Sequence, residues 1–209
     1  MRYSILPALA LLTGAVNAHF HLNYPEPRGP FVGANEPNFC GGYTEVTSNR
    51  TTFPLEGGFF RIQQGHPNWA AAVYISTEQN PNSFDAFNGT IGEQYARYWA
   101  KADTPGQFCV PLDLSSTNIT GVRDGANVTI QIAVTGGDGN LYQCADLTLS
   151  SNFTFTKELN DTCTNTTAST STSSGSTPSP TSGALGTAQQ IGSYTSLLLA
   201  LGGVALATL

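Results

Sequence analysis

Apolar positions along the chain fall in short runs separated by glycine, proline and polar turns. Ala70–Ser76 (AAAVYIS) is almost continuously apolar and reads as a buried strand. Val128–Val134 (VTIQIAV) alternates, with Val128, Ile130, Ile132 and Val134 on one face. Leu141–Leu149 (LYQCADLTL) reads as another strand, and Gly136-Gly137-Asp138-Gly139-Asn140 joins the two as a hairpin-like loop. Phe59–Ile62 alternates weakly, and Phe153–Thr156 reads as a last short strand. Only Ile91–Ala100 (IGEQYARYWA) has the spacing of a short helix, and Gly92 weakens its start. The pattern predicts an all-β fold. It is an antiparallel β-sandwich with one long loop or short helical insert around residues 77–105.

The two ends do not belong to that pattern. Residues 1–18 carry Arg2, an apolar stretch from Ile5 to Leu12, and Val16-Asn17-Ala18, which fits the small-x-small rule for signal-peptide cleavage. Cleavage there makes His19 the first residue of the mature chain. Residues 164–183 hold 14 Ser or Thr together with Pro178 and Pro180, a composition that suits an O-glycosylated stalk. Beyond them, Ser182-Gly183-Ala184, a polar spacer and the apolar run Leu197–Leu209 have the layout of a GPI-attachment signal. Ser182 is the expected attachment residue, with Gly183 beside it, and residues 184–209 the propeptide. The folded domain is then residues 19–163, long enough for one core and too short for two. The expected location is the outer face of the plasma membrane, or the cell wall.

Charge is sparse, at 11% of residues, with a formal net charge of -6. The 8 Lys and Arg are scattered, which argues against nucleic-acid binding. Seven Asn-x-Ser/Thr sequons, at Asn49, Asn88, Asn118, Asn127, Asn152, Asn160 and Asn165, are expected at the surface as glycosylation sites. Four cysteines in an exported chain imply two disulfides, and none of their spacings suits a metal knuckle. Three pairings are possible. We expect Cys40–Cys144 and Cys109–Cys163, the second pinning the C-terminal edge.

The chemistry lies with three histidines, His19, His21 and His66. A terminal histidine can chelate one metal ion through its α-amine and its imidazole Nδ1. A second imidazole from another loop completes a set of three nitrogens, which suits copper. His66, in Gln64-Gly65-His66-Pro67, is the candidate, because glycine and proline place it in a turn. His21 shares strand parity with His19 and is the candidate for a supporting role. Trp69 abuts a strand and is read as core. Tyr95, Tyr98 and Trp99 are read as packing the insert onto the sandwich.

The segment His19-Phe20-His21-Leu22-Asn23-Tyr24-Pro25-Glu26-Pro27-Arg28-Gly29, with Phe39-Cys40-Gly41-Gly42 and Leu141-Tyr142-Gln143-Cys144-Ala145-Asp146, resembles the lytic polysaccharide monooxygenase-like copper proteins of fungi. These include the copper acquisition factors of the fungal cell surface. The resemblance spans essentially all of His19–Cys163. It implies an immunoglobulin-like sandwich and a histidine-brace site for one copper ion, with His19, His66 and an aspartate as ligands. Asp146 is the expected aspartate, because it sits in an otherwise apolar strand where a carboxylate needs a partner. Asp138, in the Gly-rich loop, is the second choice.

A carboxylate ligand favours Cu(II) and can occupy the face where oxygen would bind. The resemblance therefore implies Cu(II) binding without polysaccharide cleavage, in copper acquisition or homeostasis and in cell-wall integrity. The expected partners are the copper ion and a cell-surface copper transporter or reductase, with the domain itself a monomer. The alternative is a copper-dependent lytic polysaccharide monooxygenase. A third reading is an anchored wall or adhesion protein without metal. No nucleophile elbow or phosphate loop is visible.

Overall fold

The structure, a computed structural model, describes residues 19–89, 92–137 and 139–167. The expected signal peptide, most of the stalk, Ser182, the propeptide and Asp138 lie outside the described residues. In chain order the strands are β1 (Phe20–Tyr24), β2 (Thr51–Pro54), β3 (Gly58–Gln64) and β4 (Trp69–Ser76). Then come β5 (Asn88–Gly89), β6 (Gly92–Glu93), β7 (Tyr95–Ala102), β8 (Gly106–Leu112), β9 (Asn127–Gly136) and β10 (Gly139–Ser150). A five-residue helix, α1 (Lys157–Asp161), precedes β11 (Thr166–Thr167).

One sheet has the order β1-β3-β8-β11 and the other β2-β10-β9-β4-β7, while β5 and β6 form a small separate hairpin. Alternate residues from the facing sides make the core. Phe20 and Leu22 of β1, Phe60 and Ile62 of β3 and Leu112 of β8 meet Val73 and Ile75 of β4, Ile130 and Ile132 of β9 and Leu147 of β10. Period-2 alternation is what puts Val128, Ile130, Ile132 and Val134 together on that face. This is the expected immunoglobulin-like, lytic polysaccharide monooxygenase-like β-sandwich. It departs from a purely antiparallel sandwich at one edge, where β2 runs parallel to β10.

The outer face of β9 and β10 is buried as well: Thr129 and Gln131 are covered. A second, smaller cluster of Phe39, Cys40, Ala86, Phe87 and Cys144 lies there. The Cys40–Cys144 disulfide staples the long segment after β1 onto β10. Cys109–Cys163 ties β8 to the chain beyond α1, so both bridges pair as expected. The second closes a separation of 54 residues. Replacing both Cys109 and Cys163 by serine is expected to cost about 2–4 kcal/mol, read by urea unfolding, because the unfolded chain regains the freedom of that loop.

Of the expected helix Ile91–Ala100, the described residues instead form β6 at Gly92–Glu93 and, from Tyr95 onward, strand β7, paired antiparallel to β4. The open edge of β4 offers backbone groups that need partners. Small Ala96, Ala100 and Ala102 let the strand lie against the core. A ten-residue helix with Gly92 in its first turn had little to set against that. Tyr98 is 72% exposed and Trp99 45% exposed, so these rings do not pack the insert down as expected. Trp69 is core, as expected. Phe153–Thr156 is not a strand; Phe155 stacks on Phe59 with ring centroids 4.6 Å apart.

Candidate metal centre

Backbone pairing brings the two histidine segments together. Phe20 lies opposite Gln64 in the β1–β3 ladder. One step beyond, the Gly65 N–H donates to the His19 carbonyl at 3.2 Å. His66 is the next residue, half-buried in the β3–β4 turn. Its own N–H donates to Gln64 Oε1 at 3.1 Å, and Gln64 is buried, so that turn is held from beneath. The β9–β10 turn closes the third side. A Cβ placed on Gly137 would lie 3.4 Å from His66 Cε1 and 3.5 Å from Nδ1. The β3–β4 and β9–β10 turns thus meet at the His66 ring, and the backbone of His19 lies beside the first of them.

Glu36 supports His19 from behind. Its Oε2 meets His19 Nδ1 in a close ion-pair contact. Its Oε1 accepts the Phe20 N–H at 3.0 Å, and its own carbonyl accepts the Tyr142 N–H at 2.7 Å. The residue is 1% exposed. Burial pushes its carboxyl pKa up, while the Phe20 N–H and the His19 ring pull the other way without cancelling the shift. Gln143 clamps the same strand. Its Oε1 accepts the Leu22 N–H at 3.0 Å and its Nε2 donates to the Phe20 carbonyl at 2.6 Å. His21 packs against Phe31 with ring centroids 3.8 Å apart, and burial followed by the neighbouring His19 lowers its pKa.

Sequence reasoning missed Glu36 and Gln143. Glu36 lies in Gly33-Ala34-Asn35-Glu36-Pro37, which carries only the signature of a surface turn. The one available signal was Gln143, a polar residue at a core-facing position of an otherwise apolar strand.

Asp146 corrects an expectation. It lies on β10 seven residues beyond Gly139, which puts it ~23 Å along the strand from the turn that faces His66. Its oxygens are already engaged. Oδ1 accepts from Arg28 Nη2 at 2.8 Å and the Thr129 hydroxyl at 2.6 Å. Oδ2 accepts from Arg28 Nε at 3.0 Å and the Thr47 N–H at 2.9 Å. Burial alone would raise its pKa, but these donors reverse that and hold the carboxyl below the ordinary value. The partner that a buried carboxylate requires is Arg28.

Among the described residues no group of three or more His, Cys, Asp or Glu gathers as a metal cage. The candidate donors are the His19 and His66 imidazoles, with the buried Glu36 carboxylate against the first. Imidazole nitrogens fit a cation, and a positive neighbour would favour the ionised form of Glu36 that burial disfavours. Space is tight around them. A Cβ on Gly33 would sit 2.9 Å from His19 Nε2. Gly33→Ala is therefore expected to turn the His19 ring while leaving the fold intact. Copper affinity, measured by competition titration, should fall between about 10- and 100-fold, as for changes to groups that orient a ligand.

A β-sandwich of these two sheets, with one histidine just before β1 and a second in the β3–β4 turn, defines the class: a lytic polysaccharide monooxygenase-like domain. The family description "Copper acquisition factor BIM1-like" matches residues 17–168, and the chain belongs to that family. It is 42% identical over 158 residues to copper acquisition factor BIM1 of Cryptococcus neoformans var. grubii, covering 75% of this chain and 70% of the relative. It is 33% identical over 157 residues to an uncharacterized protein of Aspergillus fumigatus, covering 73% of this chain and 61% of that one. It is 31% identical over 160 residues to the lytic polysaccharide monooxygenase-like protein ham-7 of Neurospora crassa, covering 67% of this chain and 68% of that protein.

Proposed function

We propose that this protein binds one Cu(II) ion through His19 and His66 and serves copper acquisition at the cell surface, without cleaving polysaccharide. The observation that carries this reading is the Gly65–His19 backbone hydrogen bond, which sets the residue just before β1 beside the His66 turn. Removal of residues 1–18 frees the α-amine of His19 for the same ion. His19 then offers two nitrogens and His66 one, the donor set that suits copper. Copper bound at Nδ1 takes the place of the Glu36 Oε2 contact there and leaves the Glu36 carboxylate beside the cation. Gln143 holds the strand that carries His19.

Asp138 replaces Asp146 as the candidate further ligand. It follows Gly137, the residue packed against the His66 ring, although its own placement lies outside the described residues. Copper here is cargo. The stalk and the GPI anchor at Ser182 keep the domain, a monomer, at the membrane or in the wall, within reach of a transporter or reductase that takes the metal. The likeness to the Cryptococcus copper acquisition factor supports this role.

The test is a Cu(II) titration of naturally processed protein, followed by EPR and chelator competition. One equivalent, bound with nitrogen hyperfine structure, is expected. No binding at one equivalent would overturn the reading and favour a metal-free wall protein. Incubation with a glycan panel, a reductant and oxygen or peroxide should release no oxidised oligosaccharides. Their release would make the protein a monooxygenase.

A further inference from the structure

Away from the metal centre, on the outer face of the second sheet, lies a cavity of about 250 Å³ lined by Tyr74, Phe84, Asn88, Glu93, Gln131 and Tyr142. It is smaller than the ~300–1,000 Å³ pockets that take drug-sized ligands, so it suits a single ring. Its walls are aromatic. Phe84 meets Tyr142 edge-on with centroids 4.8 Å apart, and Tyr74 meets Tyr95 at 4.7 Å. Its polar groups are few and of both kinds. Glu93 holds the Tyr95 hydroxyl at 2.6 Å. Gln131, 2% exposed, directs its amide nitrogen at the sulfurs of Cys144 and Cys40, 3.7 and 3.9 Å away. Sulfur is a weak acceptor, so that amide gains from an oxygen partner. Phe84 is 44% exposed at the mouth, a large apolar surface left to water.

Asn88 is the residue that says what covers it. It begins the sequon Asn88-Gly89-Thr90, follows the 3₁₀ turn Phe84–Phe87 directly and is exposed at the rim of this cavity. All seven sequon asparagines are exposed, so exposure alone does not single it out. What does is the aromatic, amide-bearing hollow that its side chain lines. Its Nδ2 lies 3.5 Å from Asp85 Oδ1, on the same turn as Phe84.

We propose that this cavity is the seat of the first N-acetylglucosamine of the chain's own Asn88 glycan. The attachment uses a lipid-linked oligosaccharide diphosphate. Asn88 Nδ2 forms the bond to C1 of the sugar as the C1–oxygen bond to diphosphate breaks, and the amide loses one proton. The C–H face of the pyranose then covers Phe84 and Tyr142, where aromatic surface offers apolar contact, while its acetamido group and hydroxyls meet Gln131 and Glu93. The sugar acts as an added piece of the outer core. It closes a face that the Cys40–Cys144 disulfide supports from the other side.

The test uses protein secreted from a eukaryotic host that adds N-glycans. Peptide mapping should find Asn88 occupied. Trimming every N-glycan to a single N-acetylglucosamine should leave the melting temperature within about 1 °C, whereas Asn88→Gln should lower it by about 2–4 °C. Asn152→Gln, at an exposed turn, should leave it unchanged. In a Phe84→Ala background the effect of Asn88→Gln should shrink. With ¹³C-labelled sugar, nuclear Overhauser contacts should join the first N-acetylglucosamine to the Phe84 and Tyr142 rings.

An unoccupied Asn88 would overturn the proposal, and so would a melting temperature indifferent to Asn88→Gln or labelled sugar without contacts to those rings. Saturable binding of chitotriose in this cavity by the fully glycosylated protein would also overturn it, by making the site one for an external sugar.

Discussion

Protein that begins at His19 is expected to bind Cu(II) at least about 100-fold more tightly than the same protein carrying one extra residue before it. Disturbing groups that merely orient a metal ligand costs ~10–100-fold, and the extra residue removes a ligand outright. It turns the His19 amine into an amide, whose nitrogen has no basic lone pair, and breaks the chelate ring with the imidazole. The rest of the site stays as it is, because Glu36 still faces the His19 ring and Gly65 still holds the His19 carbonyl. Calorimetry with EPR on the two proteins is the direct measurement. Equal affinities would remove the α-amine from the site, and with it the brace. A retained methionine or tag should likewise abolish tight Cu(II) binding. His66→Ala is the companion variant, and it should weaken binding without unfolding the protein, since the His66 side chain lies in a turn.

Asp146→Ala is expected to destabilise the fold by about 3–5 kcal/mol while leaving copper affinity unchanged. The charge left behind explains the size. Arg28 is 7% exposed, and its Nε and Nη2 both donate to Asp146, so removing the carboxylate strands a buried guanidinium. Its Nη1 still reaches the Pro81 carbonyl at 3.1 Å and the Tyr43 carbonyl at 3.3 Å, but neither neutralises the charge. Besides the Cys40–Cys144 disulfide and the Tyr142 N–H to the Glu36 carbonyl, this pair and the Arg28 N–H to the Cys144 carbonyl hold the segment from Arg28 to Thr47 on β10.

The pH dependence follows from the same geometry. The Asp146 carboxyl is depressed below its unfolded value of ~3.9. Its contribution is therefore complete above that value and is lost as pH falls through the lower, folded pKa. Urea unfolding from pH 6 down to pH 2 should show stability falling below about pH 4 in the wild type. The fall should be shallower in Asp146→Asn, which lacks this titrating group. A copper affinity that fell with Asp146→Ala in folded protein would return this residue to the metal site.

Where one-dimensional pattern and local chemistry coincide, reading was straightforward. β4 follows from a nearly continuous apolar run and β9 and β10 from runs whose alternate residues face the core between the sheets. β1, β2 and β8 were harder. β1 and β2 are short, and β8 contains Pro111 within GQFCVPL, so neither length nor alternation announces them. β7 was misread as a helix because Tyr95, Tyr98 and Trp99 have helical spacing. The open edge of β4 decided otherwise.

By itself the sequence determined the sandwich, the sites of export and anchoring as expectations, an expected disulfide pairing and the two histidines. Each rests on residue type and near-neighbour spacing. Only the tertiary structure decided which carboxylate serves which partner. Glu36 reaches Phe20 and His19 across 16 residues or more, and Arg28 reaches Asp146 across 118. Burial of a charge depends on what the fold brings over it from elsewhere in the chain. An aspartate in an apolar strand therefore states only that a partner exists, and the packing of the segment after β1 chooses it.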